Sequence, residues 1–174
     1  DGPLAAESLF HVAEFAYDGK DYKSAAERYA TAMQKAGKSD LGEKAAHKLG
    51  WARFHQDDFA AAQEAFDRQR AQWPNGQFAS DAAFMEGECL LKQKKFKEAL
   101  TAYDAVKKPS SKDFEVLTML HSAQALGQMK QWKKALDKLA KGAKQYAESS
   151  YLPEILFEQA RAQQNLGQLA AANT

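Results

Sequence analysis

The sequence has few of the residues that β-sheets and disulfide frameworks require. Its 174 residues include one cysteine, four prolines, three valines, one isoleucine and four threonines. So few β-branched residues exclude an all-β or α/β fold. A single cysteine excludes an internal disulfide and a zinc site built on thiolates. No run approaches the roughly 18 consecutive apolar residues of a transmembrane helix.

Alanine, in contrast, is abundant, with 34 copies. Hydrophobic residues make up 45% and charged residues 27% of the chain, which argues against disorder. The length suits one domain or one repeat array. The composition therefore predicts an all-α fold. The opening residues, DGPLAAES, lack the basic and apolar regions of a signal peptide, which predicts a processed or excised fragment.

A short pattern recurs five times: a large apolar or aromatic residue, followed three positions later by alanine. The spacings between successive lead residues are 37, 37, 36 and 37; the lead residues are Tyr22, Phe59, Phe96, Trp132 and Leu169. Nine positions before each lies a small residue, namely Ala13, Gly50, Gly87, Ala123 and Ala160. Helical apolar spacing surrounds both marks, and short polar turns separate them. Each unit is therefore predicted to be two antiparallel helices.

Longer breaks with proline, glycine and serine separate these units. They predict a single array over 1–174, with units at approximately 7–42, 43–79, 80–115, 116–153 and a truncated 154–174. Ser80 is predicted to precede a helix over 82–92. Pro153 suits the first turn of the last full helix.

These marks resemble the tetratricopeptide repeat. The second unit carries the resemblance best, through Leu49, Gly50, Phe59, Ala62, Phe66 and Pro74. The resemblance implies a right-handed α-solenoid of about four and a half antiparallel helix pairs. It also implies that the first helix of each pair lines a concave groove, which binds a segment of a protein or peptide partner.

Two linkers, over 73–84 and 146–154, are similar to those of bacterial envelope repeat proteins. These are the Tol-Pal coordinating periplasmic proteins and the outer-membrane assembly lipoproteins. This narrower resemblance implies a periplasmic or cell-envelope location.

The resemblance also assigns partner-binding residues to the groove. They are aromatic, histidine and acidic side chains: Phe10, Glu14, Tyr17, His47, Trp51, Phe54, Phe84 and Glu88. The aromatic rings would form a ladder under an extended or helical peptide. The peptide would be apolar, or basic near Glu14 and Glu88. The alternative is that some of these aromatic side chains, above all Phe10 and Phe84, pack in the core.

No residue pattern predicts catalysis, a metal or a cofactor. The sequence has no glycine-rich phosphate loop, nucleophile elbow or HExxH motif. The four histidines lack the spacing of metal ligands; they are His11, His47, His55 and His121. Cys89 lies in an apolar run and is predicted to be a packed thiol.

Charge is strongly segregated along the chain. Residues 91–150 hold 13 lysines, no arginine and six acidic side chains, a net charge of +7, whereas residues 1–90 carry −5. One interpretation is a solvated helical surface. The other is attraction to an acidic partner or an anionic membrane surface. No nucleic acid is expected. Membrane contact is expected only indirectly or through segments outside 1–174.

The sequence thus predicts a non-catalytic protein–protein interaction scaffold. The alternative is a structural spacer or self-associating module of a larger envelope protein, without a groove ligand. In that case the array would associate end to end.

Overall fold

A computed structural model describes residues 3–167 of the chain. These residues form α-helices and connecting turns, with no strand among them. The helices are α1 (Pro3–Asp18), α2 (Tyr22–Ala36), α3 (Asp40–Phe54), α4 (Phe59–Gln72), α5 (Ala79–Lys92), α6 (Phe96–Asp104), α7 (Lys112–Gln128), α8 (Trp132–Gln145) and α9 (Leu152–Asn165). The predicted all-α architecture is confirmed.

The helices pack in consecutive pairs, and each pair is joined by the same tight turn. One residue in each turn has a positive φ between 56° and 76°; these residues are Lys20, Asp57, Lys94, Lys130 and Gly167. A left-handed residue reverses the chain within a few positions, which places two helices antiparallel. Gly167 ends the described part of the fifth unit. The repeat residues predicted beyond it, from Leu169 onwards, lie outside the described residues.

Side chains cap several helix starts. Asp21 and Asp58 accept backbone N–H groups at the starts of α2 and α4. Ser39 and Ser111 do the same for α3 and α7.

The predicted start of α5 at residue 82 is wrong, because the helix begins at Ala79. The Ser80 hydroxyl instead accepts the N–H groups of Lys107 and Lys108, which follow α6. Pro153 does lie in the first turn of α9, as predicted.

Small residues allow the paired helices to approach closely. A Cβ added to Gly50 would lie 2.5 Å from the Phe66 ring, and one added to Gly87 would lie 2.4 Å from the Tyr103 ring. Alanine serves the same purpose elsewhere in the interfaces. The fully buried alanines of the first two pairs are Ala13, Ala25, Ala32, Ala45, Ala52 and Ala62. The high alanine content therefore reflects tightly packed helix pairs.

The first helices of the pairs lie on the inner side of the curved array. α1 contacts α3, α5 contacts α7, and α7 contacts α9. The second helices of residues 3–167 make no comparable contact with one another. When the first helices of neighbouring pairs contact one another and the second helices do not, the stack curves toward the first helices. The first helices therefore line the concave side, as the resemblance implied.

Candidate functional site

The structure buries the two phenylalanines that were predicted to contact a partner. Phe10 and Phe84 are each only 3% exposed. Phe10 packs against Tyr29, with ring centroids 5.5 Å apart, and Phe84 stacks on Phe114 at 4.6 Å. A side chain enclosed in this way offers no surface to a partner. The prediction of groove contacts at Phe10 and Phe84 is therefore corrected, and both are core residues.

The equivalent residue of the fifth unit, in contrast, is not buried. Phe157 is 65% exposed. In the first and third pairs, a tyrosine of the second helix covers the phenylalanine ring.

His47, also predicted in the groove, is buried at the interface between the second and third pairs. Its ring stacks on Phe78, with centroids 4.7 Å apart. Its Nδ1 lies 3.2 Å from Oε1 of Gln69, and its Nε2 accepts the Trp51 indole N–H at 3.1 Å. Burial lowers the pKa of His47, so the ring is neutral. His47 acts as a support for Trp51.

The two acidic residues predicted to attract a basic partner are already paired within the fold. Glu14 accepts the Tyr29 hydroxyl and forms an ion pair with Lys48 at 3.1 Å. Because partners within the fold already occupy this carboxylate, the geometry does not support the expectation that it selects a basic peptide.

Glu88 repeats this arrangement two units later. It accepts the Tyr103 hydroxyl at 2.6 Å and approaches Nδ1 of His121 at 2.6 Å. Burial and the glutamate raise the pKa of Tyr29 and of Tyr103. Both phenols therefore stay protonated and donate.

The sequence contains a signal for this pairing. Each glutamate precedes its tyrosine by 15 residues, whereas the second pair has Trp51 and Phe66 at the same two places. Glutamate occurs where the second helix supplies a hydroxyl, and tryptophan occurs where it does not.

A continuous set of rings lies at the turn end of the first two pairs. We call this set the aromatic cluster; it consists of Tyr17, Tyr22, Trp51, Phe54, His55 and Phe59. His55 stacks on two rings: its centroid lies 4.8 Å from that of Tyr22 and 5.8 Å from that of Trp51. Edge contacts join Tyr17 to Tyr22 at 5.3 Å and Phe54 to Phe59 at 5.3 Å.

Every ring of the aromatic cluster keeps part of its surface exposed. Five are half-buried and His55 is exposed. Partial burial raises the pKa of Tyr17 to about 12, so its hydroxyl is neutral. Three members, Tyr17, Trp51 and Phe54, were predicted as site residues. Sequence reasoning treated Tyr22 and Phe59 only as marks of a second helix, because it did not show that the turn brings them beside the first helices.

A shallow cavity spans the third to fifth units. Its volume is about 530 Å³, and it is lined by Leu91, Lys94, Phe96, Gln124, Gln128, Glu158 and Arg161. The Gln124 amide donates to Glu158 at 3.2 Å, and Arg161 lies 3.2 Å from the same carboxylate. The cavity is lined mostly by polar side chains, in contrast to the aromatic cluster.

The described residues offer no arrangement for metal or nucleophile chemistry. Between residues 3 and 167, no group of three His, Cys, Asp or Glu side chains could hold a metal ion. Cys89 is fully buried, and burial raises its pKa to about 12. No helix within the same range is long and apolar enough to cross a membrane.

The tetratricopeptide repeat family model matches residues 47–114, from the middle of α3 through α6 to the start of α7. The chain has a tetratricopeptide-like fold. Proteins with such repeats generally mediate protein–protein interactions. No curated protein sequence is similar enough to the chain to give a match.

Solved structures of other proteins share the tetratricopeptide-like fold. MamA from Desulfovibrio magneticus RS-1, residues 41 to the end, superposes with a TM-score of 0.80 at 16% identity, over 97% of this chain and 89% of that chain. The apo form of RapI gives 0.84 at 14% identity, over 99% of this chain and 52% of RapI. YrrB, described as a TPR protein with an unusual peptide-binding site, gives 0.73 at 14%, over 94% and 79%. At such identities the likeness establishes the fold alone.

Proposed function

We propose that the chain is a non-catalytic interaction scaffold that holds a segment of a protein partner on its inner side, against the aromatic cluster. One observation carries this proposal: six rings joined by an unbroken series of contacts, all of them partly exposed, at the turn end of the first two pairs. Contiguous exposed apolar surface is typical of interaction sites. Tryptophan and tyrosine are also the residues that most often dominate binding energy.

The cluster is rigid before a partner arrives. The Trp51 indole is anchored by its hydrogen bond to His47, and His55 is stacked between Tyr22 and Trp51. Rings already held in place lose little conformational entropy on binding. The residues proposed to contact the partner are therefore Tyr17, Trp51 and Phe54, with Tyr22, His55 and Phe59 beside them.

The chemistry of the cluster indicates the chemistry of the partner. Glu14, the nearest carboxylate on α1, is paired with Lys48, whose Nζ also lies 5.0 Å from the centroid of Tyr17. Glu14 is therefore not available to attract a basic partner. The partner segment should contribute apolar or aromatic side chains.

Selection from a displayed peptide library tests the proposal. Wild type should enrich peptides with apolar or aromatic anchors, and Trp51→Ala/Phe54→Ala should bind the enriched peptides at least about tenfold more weakly, since two anchor rings are lost. Circular dichroism must show that the variant keeps its helix content. Because Trp51 and Phe54 also pack on the core, Tyr22→Ala/His55→Ala serves as a second, gentler variant.

The matched control is Phe15→Ala/Phe157→Ala, which also removes two exposed rings but outside the aromatic cluster. Phe15 is 83% exposed on α1. This control variant should bind the enriched peptides as tightly as wild type does. Equal binding by wild type and both cluster variants would reject the groove proposal.

We propose the bacterial cell envelope as the compartment, on the similarity of the linkers 73–84 and 146–154 to those of envelope repeat proteins. Affinity capture from separated envelope and soluble fractions tests this. A partner that wild type retains, and that Trp51→Ala/Phe54→Ala loses, should come from the envelope fraction. Its recovery only from the soluble fraction would contradict the compartment and leave the groove proposal intact.

A further inference from the structure

A second surface, separate from the aromatic cluster, carries most of the positive charge of the molecule. We call it the lysine surface; it consists of Lys92, Lys94, Lys95, Lys97, Lys107, Lys108, Lys112, Lys130, Lys133, Lys134, Lys138, Lys141 and Lys144. Twelve of these side chains are exposed and Lys138 is half-buried. Within residues 3–167, none of them forms an ion pair. Their charge is therefore not neutralised by the fold.

Helix α8 is the centre of the lysine surface. It has five lysines and a single acidic residue, Asp137, and its 14 residues extend over about 21 Å. Its buried side is formed by Ala135, Leu139 and Gly142, so its lysines flank the outward side. Further lysines lie in the turns and linkers at both ends of the helix. The basic surface is therefore broad.

The composition of this surface favours a diffuse array of anions over a single defined ligand. Residues 91–150 contain no arginine, the residue whose planar fork holds a particular carboxylate or phosphate. The exposed large hydrophobic side chains of the described residues lie in α1, in α9 and just after α9, and none lies between 91 and 150. A peptide would find neither apolar anchors nor bidentate partners there. A membrane surface with anionic lipids needs only exposed positive charge.

We propose that α8 and the adjoining turns of the third and fourth pairs bind an anionic membrane surface through electrostatic attraction. α8 is a second helix, so it lies away from the inner side. The scaffold would therefore rest on the membrane with the aromatic cluster still open to a partner. This proposal departs from the sequence-based expectation of indirect membrane contact only.

Vesicle sedimentation tests the proposal. Wild type should bind phosphatidylcholine vesicles that contain about one-third phosphatidylglycerol, and should not bind pure phosphatidylcholine. Raising the salt from about 50 to about 500 mM should release it, because the Debye length falls well below the reach of the lysines. Lys133, Lys134, Lys138 and Lys141 are all changed to Gln in the test variant. Its partition coefficient should fall on the order of 1,000-fold, because the contributions of the four basic residues near such a surface multiply.

The control variant removes four positive charges from the other end of the array, by changing Lys20, Lys23, Arg28 and Lys38 to Gln. All four are exposed. The control should bind anionic vesicles as wild type does. Both variants keep the aromatic cluster. Peptide binding at the cluster therefore shows, independently of vesicle binding, whether each variant is folded and whether the groove proposal holds.

Three results would overturn the membrane proposal. The first is that wild type binds neutral and anionic vesicles equally. The second is that both variants lose vesicle binding to the same extent. The third is that wild type binds no vesicles but is retained on immobilised polyglutamate. The last result would assign the lysine surface to an acidic protein partner.

Discussion

The Trp51 indole N–H donates to Nε2 of His47, 3.1 Å away, one helical turn earlier on α3. An indole nitrogen is only a donor, so Nε2 must be the unprotonated nitrogen. Nδ1 then carries the proton and donates to Oε1 of Gln69 at 3.2 Å. The imidazole is thereby held in one neutral tautomer, and the aromatic cluster depends on it.

We predict that this arrangement makes stability depend on pH. The pKa of His47 is lowered in the folded state from its ordinary value of 6.5 by burial. Below 6.5 the unfolded chain therefore binds the proton first, and the free energy of unfolding falls as the pH falls toward the folded pKa. Each unit of depression is worth about 1.4 kcal/mol. Urea unfolding between pH 7.5 and 5.5 measures this loss, which should be absent in His47→Gln.

The control for this titration is His11→Gln. His11 is exposed on α1, so the variant should keep the pH dependence of wild type. Parallel pH profiles for wild type and His47→Gln would show that His47 does not titrate as argued.

We predict that Tyr103→Phe lowers the free energy of unfolding by about 1–3 kcal/mol, because it removes a hydrogen bond to a carboxylate at a poorly solvated site. The lost contact is the 2.6 Å bond to Glu88. Thermal or urea unfolding gives the value. The same substitution should have a smaller effect in a Glu88→Gln background, since the charge that the hydroxyl stabilises is then absent.

Tyr146→Phe is the matched control for Tyr103→Phe. Tyr146 also donates to a glutamate, Glu115, but at an exposed position and 3.2 Å. The effect should stay within about 0.5 kcal/mol. Equal effects of the two substitutions would mean that burial adds nothing to the Tyr103–Glu88 bond.

We predict that Gly87→Ala destabilises the chain by about 1–2 kcal/mol. The new methyl group would lie 2.4 Å from the buried Tyr103 ring, and the strain of overpacking exceeds the gain in helix propensity. Gly19→Ala is the control, because its added Cβ would have a nearest neighbour at 3.4 Å. Denaturant midpoints compare the two. A Gly87→Ala variant as stable as wild type would show that the Tyr103 ring moves aside freely.

We predict that Cys89 is unreactive in the folded protein. The side chain is fully buried, and burial and then the charge of Glu88 raise its pKa to about 12 from 9.0. Its thiolate fraction at pH 8 should be on the order of 1,000-fold below that of a free thiol. A disulfide reagent should therefore label it slowly in buffer and rapidly in urea. Rapid stoichiometric labelling without denaturant would contradict the packed position.

The aromatic cluster illustrates where prediction from sequence stopped. The resemblance to the tetratricopeptide repeat assigned the rings of Tyr17, Trp51 and Phe54 to the inner side. For Phe10 and Phe84, on the inner helices as well, the sequence left open whether they were groove or core residues, and tyrosines of the second helices cover both. Exposure is a property of what packs on a residue, and that partner lies about 19 positions away in the chain.

The charged residues of the inner side divide in the same way. The resemblance placed them on the inner side, and the net charge of each segment followed from counting. The pairing of Glu14 with Lys48, and of Glu88 with His121, spans two neighbouring units. Such contacts depend on how far one pair is rotated against the next, which small differences in side-chain volume at the interface determine.

By itself, the sequence determined the number of helix pairs, the turns between them and the small residues that let them approach. These features depend on local backbone preference and on a repeated apolar pattern, which are written residue by residue. Only the tertiary structure decided which aromatic rings stay exposed, which carboxylates are already paired and which lysines remain free. Those outcomes depend on side chains from different units meeting in space, and the contacts exist only once the array is stacked.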